Sequence, residues 1–177
     1  MIIAISGLHG TGKSTIAKLL ADKLGILYYS TGQVFRDMAK ENNMSLEEYT
    51  SYVEKHPDVD KELDNKVVSM AKKGNIIIDS QLSGHILKSI ANFKIQLICP
   101  LEVRVKRMAD RDQTLYEEKL NETTIREKSE LERFKKLYNI DLGDGKSIKE
   151  FFDLIIDAEH LTIEEIVDKI LIALKKI

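Results

Sequence analysis

The feature that most constrains this chain is the segment GLHGTGKST, which spans residues 7–15 and directly follows the apolar run MIIAIS. A glycine, four residues, then glycine, lysine and serine is the pattern of a phosphate-binding loop between a strand and a helix. Its glycines permit backbone conformations closed to other residues and let amide N–H groups approach an anion closely. The helix that follows points its positive end at the same anion. The segment therefore predicts a strand, a phosphate-binding loop and a helix, in that order.

Short apolar runs alternate with helical patterns along the rest of the chain. Runs typical of buried strands occupy residues 2–6, 26–30, 75–79, 94–99 and 153–157. Between them apolar residues recur at helical spacing, and Ser45 followed three residues later by Glu48 has the spacing of a capping box. This alternation predicts an α/β fold, with a five-stranded parallel sheet and helices on both of its faces.

Two helical stretches fit the alternation least, and they predict small insertions within a single domain of residues 1–177. The first stretch, at about 31–62, lies between the second and third predicted strands. The second, at about 107–136, is rich in charged residues. Both are candidates for parts that move over an active site.

The composition argues against several classes of function. A net charge of -2 argues against a nucleic-acid-binding surface, and no apolar run approaches the length of a membrane span. The single cysteine, Cys99, cannot form an internal disulfide, and we expect it to be a buried structural thiol. We therefore expect a cytoplasmic protein that binds neither nucleic acid nor membranes. Because no heptad repeat is sustained, we expect a monomer.

Every residue of the phosphate-binding loop is a candidate contact for a bound nucleotide: Gly7, Leu8, His9, Gly10, Thr11, Gly12, Lys13, Ser14 and Thr15. Lys13 supplies a charge for the β- and γ-phosphates, and Ser14 offers a hydroxyl to Mg²⁺. His9 occupies an unconstrained position of the motif, so we expect its side chain to face solvent. Thr11 and Thr15 can donate to phosphate, although Thr15 can equally bond its own helix backbone.

The loop alone is compatible with three classes of protein. A regulatory GTPase would carry an Asn-Lys-x-Asp segment late in the chain, and this sequence has none. A motor-type ATPase usually needs a larger chain and an acidic residue that activates water. The third class, a kinase for a small acceptor, needs a second anion site and several arginines that neutralise two phosphorylated substrates.

Arginines that suit this third class occur in three places: Arg36 after the second strand, Arg107 and Arg111 after the fourth, and Arg126 and Arg133 two helical turns apart. The guanidinium presents a rigid fork of N–H donors that matches phosphoryl oxygens. Arg36 lies on the first turns of a helix, where it can reach an acceptor phosphate. We expect Arg104 and Lys106, in contrast, to be solvated surface charges.

Asp79 ends the third predicted strand, at the carboxyl edge of the sheet, where ligands gather in folds of this type. A carboxylate at this edge can hold Mg²⁺ through water. It can equally cap its own loop, and the residues alone leave both roles open.

Seven segments of the chain resemble a known family when they are taken in order: GLHGTGKST, STGQVFRDMA, DKELD, IIIDSQLSGH, PLEVRVKRMADRD, TIREKSELERFKKLYNIDL and DLIIDA. The chain resembles the nucleoside monophosphate kinases, and within them the archaeal type of cytidylate kinase. The resemblance implies that ATP with Mg²⁺ phosphorylates CMP or dCMP, giving ADP and CDP or dCDP. It also implies that residues 31–62 bind the monophosphate and that residues 107–136 form a lid.

The same resemblance implies roles for particular side chains. Residues 7–15 would bind ATP, and Arg107 would flank the adenine or the phosphates. Arg126 and Arg133 would close on the transferring group, so the candidate catalytic residues are Lys13, Arg107, Arg126 and Arg133. The implied acceptor-binding residues are Thr31, Gly32, Arg36, Asp79, Gln81 and Gly84. Asp60 and Asp64 lie in the first insertion, where acceptor contacts are expected, although such residues more often form a solvated helix face.

Position 81 departs from the family pattern, because many relatives carry an arginine where this chain has Gln81. Glutamine can hydrogen-bond a base or a sugar but offers no charged fork to a phosphate. Phosphorylation of UMP, AMP or another small acceptor is therefore an alternative. A nucleotide-binding regulatory ATPase is the alternative from a different class.

Overall fold

The computed structural model describes residues 1–140, 149 and 151–176. Five parallel strands form one sheet in the order β2-β3-β1-β4-β5. The strands are β1 (Ile2–Ser6), β2 (Leu27–Ser30), β3 (Ile76–Ser80), β4 (Phe93–Ile98) and β5 (Leu154–Asp157). The predicted α/β fold class is therefore confirmed, and each strand lies within two residues of its predicted bounds.

Helices connect the strands and begin where the sequence supplies start signals. In chain order they are α1 (Lys13–Leu24), α2 (Thr31–Glu41), α3 (Leu46–Lys55), α4 (Pro57–Ala71), α5 (Ser83–Ile86), α6 (Leu101–Asp112), α7 (Tyr116–Tyr138) and α8 (Ile163–Leu174). Ser45 and Glu48 form the predicted capping box at the start of α3. The four-residue helix α5 is too short to show helical periodicity, so no sequence pattern indicates it.

The central strands β1, β3 and β4 are largely buried on both faces, where successive side chains point to opposite sides of the sheet. Ile3 and Ile5 of β1 join a core cluster with residues of α1 and α8, whereas Ala4 joins a cluster with residues of α4 on the other face. This two-sided burial explains why the strands read as continuous apolar runs rather than as alternating patterns.

The segment between β2 and β3 has a small core of its own, in which Met38, Tyr49, Val53 and Leu63 of three successive helices pack together. It coincides with most of the predicted insertion at residues 31–62. That this segment binds a monophosphate, and that residues 107–136 act as a lid, remain predictions.

Within the described part of the chain, no helix combines the length and the hydrophobicity that crossing a bilayer requires. Two residues of the YNIDL segment, Asp141 and Leu142, lie outside the described residues. Cys99 follows β4 and is partly buried, and burial raises the pKa of its thiol, in keeping with a structural role.

Candidate active site

The carboxyl ends of the parallel strands meet at one edge of the sheet, and most of the predicted site residues lie there. Ser6 of β1 stands beside Ser80 of β3, so the loop that begins at Gly7 lies next to Gln81. Ligands bind at this edge in open α/β sheets. The phosphate-binding loop and the turn after β3 therefore face a common space.

Two glycines of the loop adopt backbone conformations that other residues rarely take. Gly12, immediately before α1, has φ 88°, and Gly10 has φ 78°. At Gly10 an added Cβ would lie 2.7 Å from the carbonyl oxygen of Arg104, which leaves no room for a side chain. Glycine at these positions is thus required by backbone geometry, and at position 10 also by close packing.

Lys13 lies on the first turn of α1 and reaches back across the loop. Its ammonium donates to the carbonyl oxygen of Leu8 at 3.2 Å, and the Thr11 hydroxyl donates to the same oxygen at 2.9 Å. Burial lowers the pKa of Lys13, while the carboxylates of Asp79 and Glu130 oppose that effect. An ammonium so poorly solvated interacts strongly with an anion that enters the loop.

Asp79 is 1% exposed and held by two hydroxyls. Tyr28 donates to one carboxylate oxygen at 2.6 Å, and Ser30 donates to the other at 3.0 Å. Burial and the Asp79 carboxylate together raise the pKa of Tyr28 to about 12, and the nearby Ser14 hydroxyl opposes the shift. Ser14 and Asp79 therefore both lie near one tyrosine hydroxyl.

Glu130 of α7 is the centre of a polar cluster against the loop. Its carboxylate accepts from the Gln81 amide at 2.8 Å and from Arg126 Nε at 3.0 Å, and it lies 2.7 Å from His9 Nε2. Burial disfavours the charged form of Glu130, but the hydrogen bond and charge of His9 and the charge of Arg126 lower its pKa to about 2. The expectation that His9 faces solvent is wrong, because Glu130 draws its ring inward.

The three arginines predicted to be catalytic lie in three different places. Arg107 donates to the carbonyl oxygen of Ala158 at 2.7 Å, just beyond β5. Arg126 lies beside Glu130, near the loop. Arg133 of α7 faces α4, and its Nε lies 3.6 Å from a carboxylate oxygen of Asp60. Of these three arginines, Arg126 is the one that contacts the cluster beside the phosphate-binding loop.

Helix α4 contributes two acidic side chains to its contact with α7. Asp60 is 8% exposed, so the expectation of a solvated helix face is wrong for this residue. Burial raises the pKa of Asp60, and the charge of Arg133 opposes the shift. Asp64 is partly buried beside the Tyr138 hydroxyl. Among the described residues, none accepts a hydrogen bond from Nε or Nη1 of Arg133.

Arg104 is also placed differently from the prediction. The sequence predicts a surface charge, but Arg104 is 4% exposed and forms a bidentate ion pair with Glu127 of α7. Lys106, on the same helix, is exposed as expected, and Arg111 pairs with its exposed neighbour Asp112. One α6 arginine is therefore internal, although its sequence context does not set it apart.

Comparison with known proteins identifies the family. Residues 3–135 match the family described as an AAA domain. A curated cytidylate kinase of Methanococcus vannielii is 42% identical over 161 residues, which cover 89% of this chain and 90% of that protein. Another, of Staphylothermus marinus, is 38% identical and covers 93% of this chain and 91% of its own length. The chain belongs to the cytidylate kinase family.

Solved structures agree with the fold of this cytidylate kinase family member. The shikimate kinase of Bacteroides thetaiotaomicron superposes with a TM-score of 0.65 at 15% identity, over 99% of this chain and 98% of its own. A gluconokinase of Sinorhizobium meliloti gives 0.63 at 14% identity, over 98% and 91%. At these identities the likeness concerns the fold alone.

The remaining residues predicted to bind the acceptor are spread along the same edge of this family member. Arg36 is exposed on α2, and its Nη2 donates to the Gln33 side chain at 2.9 Å. Gly32 is exposed nearby, whereas Thr31 is buried. Gly84 is buried on α5, and its amide donates to Ser6 Oγ at 2.9 Å. Their contacts with an acceptor stay predictions.

The sequence analysis does not predict a site role for four residues that shape the site: Tyr28, Ser30, Glu127 and Glu130. The Arg126–Glu130 pair has the i,i+4 spacing of a helical ion pair, so this signal was present in the sequence. The contacts of Glu127 with α6, and of Tyr28 with β3, join segments distant in the chain. No local pattern could have revealed them.

Proposed function

We propose that this protein transfers the γ-phosphate of ATP to CMP or dCMP, giving ADP and CDP or dCDP. The observation that carries the proposal is 38–42% identity to curated cytidylate kinases over about nine-tenths of the chain. The phosphate-binding loop and the separate arginines on α2 and α7 supply groups for two phosphorylated substrates.

The residues at the loop fit ATP with Mg²⁺. The described residues hold no cluster of three or more acidic, histidine or cysteine side chains that could bind a metal by themselves. Mg²⁺ commonly uses one or two protein oxygens together with substrate phosphates and waters. Ser14 would offer its hydroxyl, and Asp79, already held by Tyr28 and Ser30, would act through water. The ion would neutralise charge on the phosphates.

This chain's own contribution to phosphoryl transfer would be positioning and neutralisation of charge. Lys13 and the loop amides would hold the donor, and Arg36 would hold the phosphate of the acceptor. Arg126 and Arg133 would approach the transferring group from α7. No general base is needed, because the attacking group is a phosphate oxygen that is ionised at neutral pH. Helix α7 would also exclude water, which would otherwise take the phosphate.

Acceptor identity is the part of the proposal that depends most on position 81. Gln81 donates to Glu130, and none of the described residues offers a hydrogen-bond partner to its buried carbonyl oxygen. That oxygen can accept from an amino group, such as the exocyclic amine of cytosine. Adenine also carries an exocyclic amine, so AMP remains the second candidate acceptor.

The deciding experiment is an acceptor panel. Purified protein would be mixed with ATP and Mg²⁺, one of CMP, dCMP, UMP, AMP or GMP would be added, and ADP release would be followed. Release with CMP and dCMP alone is the expected result. Faster release with another monophosphate would overturn the named acceptor. Equal release without any acceptor, or none at all, would instead favour a regulatory ATPase or switch. We further propose that the enzyme is monomeric and cytoplasmic.

A further inference from the structure

Arg104 uses four of its five N–H groups on partners from three separate segments. Its Nη1 donates to the carbonyl oxygen of His9 at 2.9 Å, and its Nε donates to the carbonyl oxygen of Cys99 at 3.0 Å. Its Nη1 and Nη2 also donate to the two carboxylate oxygens of Glu127, the second at 3.1 Å. One buried guanidinium thus joins the phosphate-binding loop, the end of β4 and helix α7.

The contact with His9 fixes a peptide plane inside the phosphate-binding loop. In a trans peptide the carbonyl oxygen and the following N–H point in opposite directions. The His9 carbonyl oxygen accepts a hydrogen bond from Arg104, which lies outside the loop. The amide of Gly10 is therefore turned away from Arg104. A phosphate-binding loop works by turning such amides toward the anion.

The backbone of the same arginine limits how far the loop can relax. Gly10 packs so closely on Arg104 that an added Cβ would meet the arginine's own carbonyl oxygen and Cβ at 2.7 and 2.9 Å. The loop is therefore held by a side-chain hydrogen bond at one residue and by backbone packing at the next. Neither contact requires Arg104 to touch a nucleotide.

We propose that Arg104 is a positioning residue for the donor nucleotide, which orients the His9–Gly10 peptide and couples the phosphate-binding loop to α7 through Glu127. The effect expected in the kinase assay rests on the proposed function, whereas the effect expected on ATP binding does not. Loss of the Arg104 donors lets the peptide rotate, so the loop binds phosphate less tightly. It leaves the acceptor side of the cleft unaffected.

The test exploits the fact that a buried ion pair can often be replaced by apolar residues of similar size without loss of stability. The double variant Arg104→Met/Glu127→Leu removes both charges together and so leaves neither one unpaired. Lys106→Met is the matched control, because Lys106 is an exposed cation on the same helix. ATP with Mg²⁺ would be titrated into each protein by calorimetry, and urea unfolding would be measured in parallel.

We expect the double variant to fold and to bind ATP about 10- to 100-fold more weakly, the factor for a lost hydrogen bond to a charged group. The control should bind like the unmodified protein. Addition of ADP with Mg²⁺ should shift the Gly10 amide resonance in the unmodified protein and shift it much less in the double variant. A folded double variant with ATP affinity within about twofold of the unmodified protein would overturn the proposal.

If the double variant does not fold, the single variant Arg104→Lys tests the proposal instead. A lysine keeps the charge beside Glu127 but has no planar fork to hold both carbonyl oxygens. In the kinase assay its KM for ATP should rise while its KM for CMP stays unchanged. Unchanged ATP affinity, or an equal rise in both KM values, would contradict a positioning role. If no monophosphate is phosphorylated by the unmodified protein, the proposed function fails, whereas the ATP titration still tests Arg104.

Discussion

Replacing Asp64 by asparagine should stabilise this protein at neutral pH. Burial raises the pKa of Asp64 from 3.8 to about 6, the charge of Asp60 adds to the shift, and the hydrogen bond with Tyr138 opposes it. The folded state therefore holds this proton more tightly than the unfolded chain does. The stability that protonated Asp64 contributes is fully present below about pH 3.8 and is lost as the pH rises through about 6.

The size of the effect follows from the same values. The difference between the two pKa values corresponds to about 3 kcal/mol at most. Because Asp64 is only partly buried, solvent screening reduces this to about 1–2 kcal/mol. An asparagine resembles the protonated acid and still accepts from Tyr138, so Asp64→Asn should avoid this loss. For a chain of this length the gain corresponds to a rise in Tm of about 2–8 °C.

The assay is urea unfolding of the two proteins at several pH values between about 4 and 8, chosen to bracket the titration. The gain from Asp64→Asn should be largest at the upper end and should approach zero at the lower end. Asp58→Asn is the matched control, because Asp58 lies on the same helix with its side chain 97% exposed. A destabilised Asp64→Asn protein at the upper end, or a gain that does not vary with pH, would refute the reasoning.

Three further predictions concern activity. Lys13→Met should lower kcat/KM for ATP at least about 100-fold, as measured by steady-state kinetics. It should not lower the free energy of unfolding, measured in urea, because the ammonium that it removes is poorly solvated. Arg36→Ala should raise the KM for CMP about 10- to 100-fold and leave the KM for ATP unchanged, and a rise in the latter would argue against an acceptor contact. Arg126→Ala should lower kcat about 100-fold, measured at saturating substrates; unchanged turnover in Arg126→Ala and in Arg133→Ala would exclude a role of α7 in transfer.

The fold and the phosphate-binding loop were predictable because their signals are local. A run such as residues 2–6 is almost entirely apolar, and the glycines that follow it permit the backbone conformations of the loop before α1. The i,i+4 pair of Arg126 and Glu130 belongs to the same class of signal. Such patterns depend on residues that are neighbours in the chain, so one sequence is enough to read them.

The charged residues of the site show where this kind of inference ends. Arg104 and Lys106 are two residues apart on one helix, yet one is buried against α7 and the other is exposed. Asp60 was expected to be solvated because most helical aspartates are. Whether such a charged group can be buried depends on a partner from a distant segment of the chain. The partner is Glu127 for Arg104 and Arg133 for Asp60.

The sequence by itself determined the order along the chain of the five strands and of every helix except α5, the burial of the central strands on both faces, and the need for glycine at positions 10 and 12. Tertiary structure alone decided which charges are internal, that Glu130 draws His9 and Gln81 together, and that Arg104 holds the loop from behind. The physical reason is the cost of desolvation. A buried ion is stable only when opposite charges and hydrogen bonds replace its water, and in this fold those partners come from segments far apart in the chain.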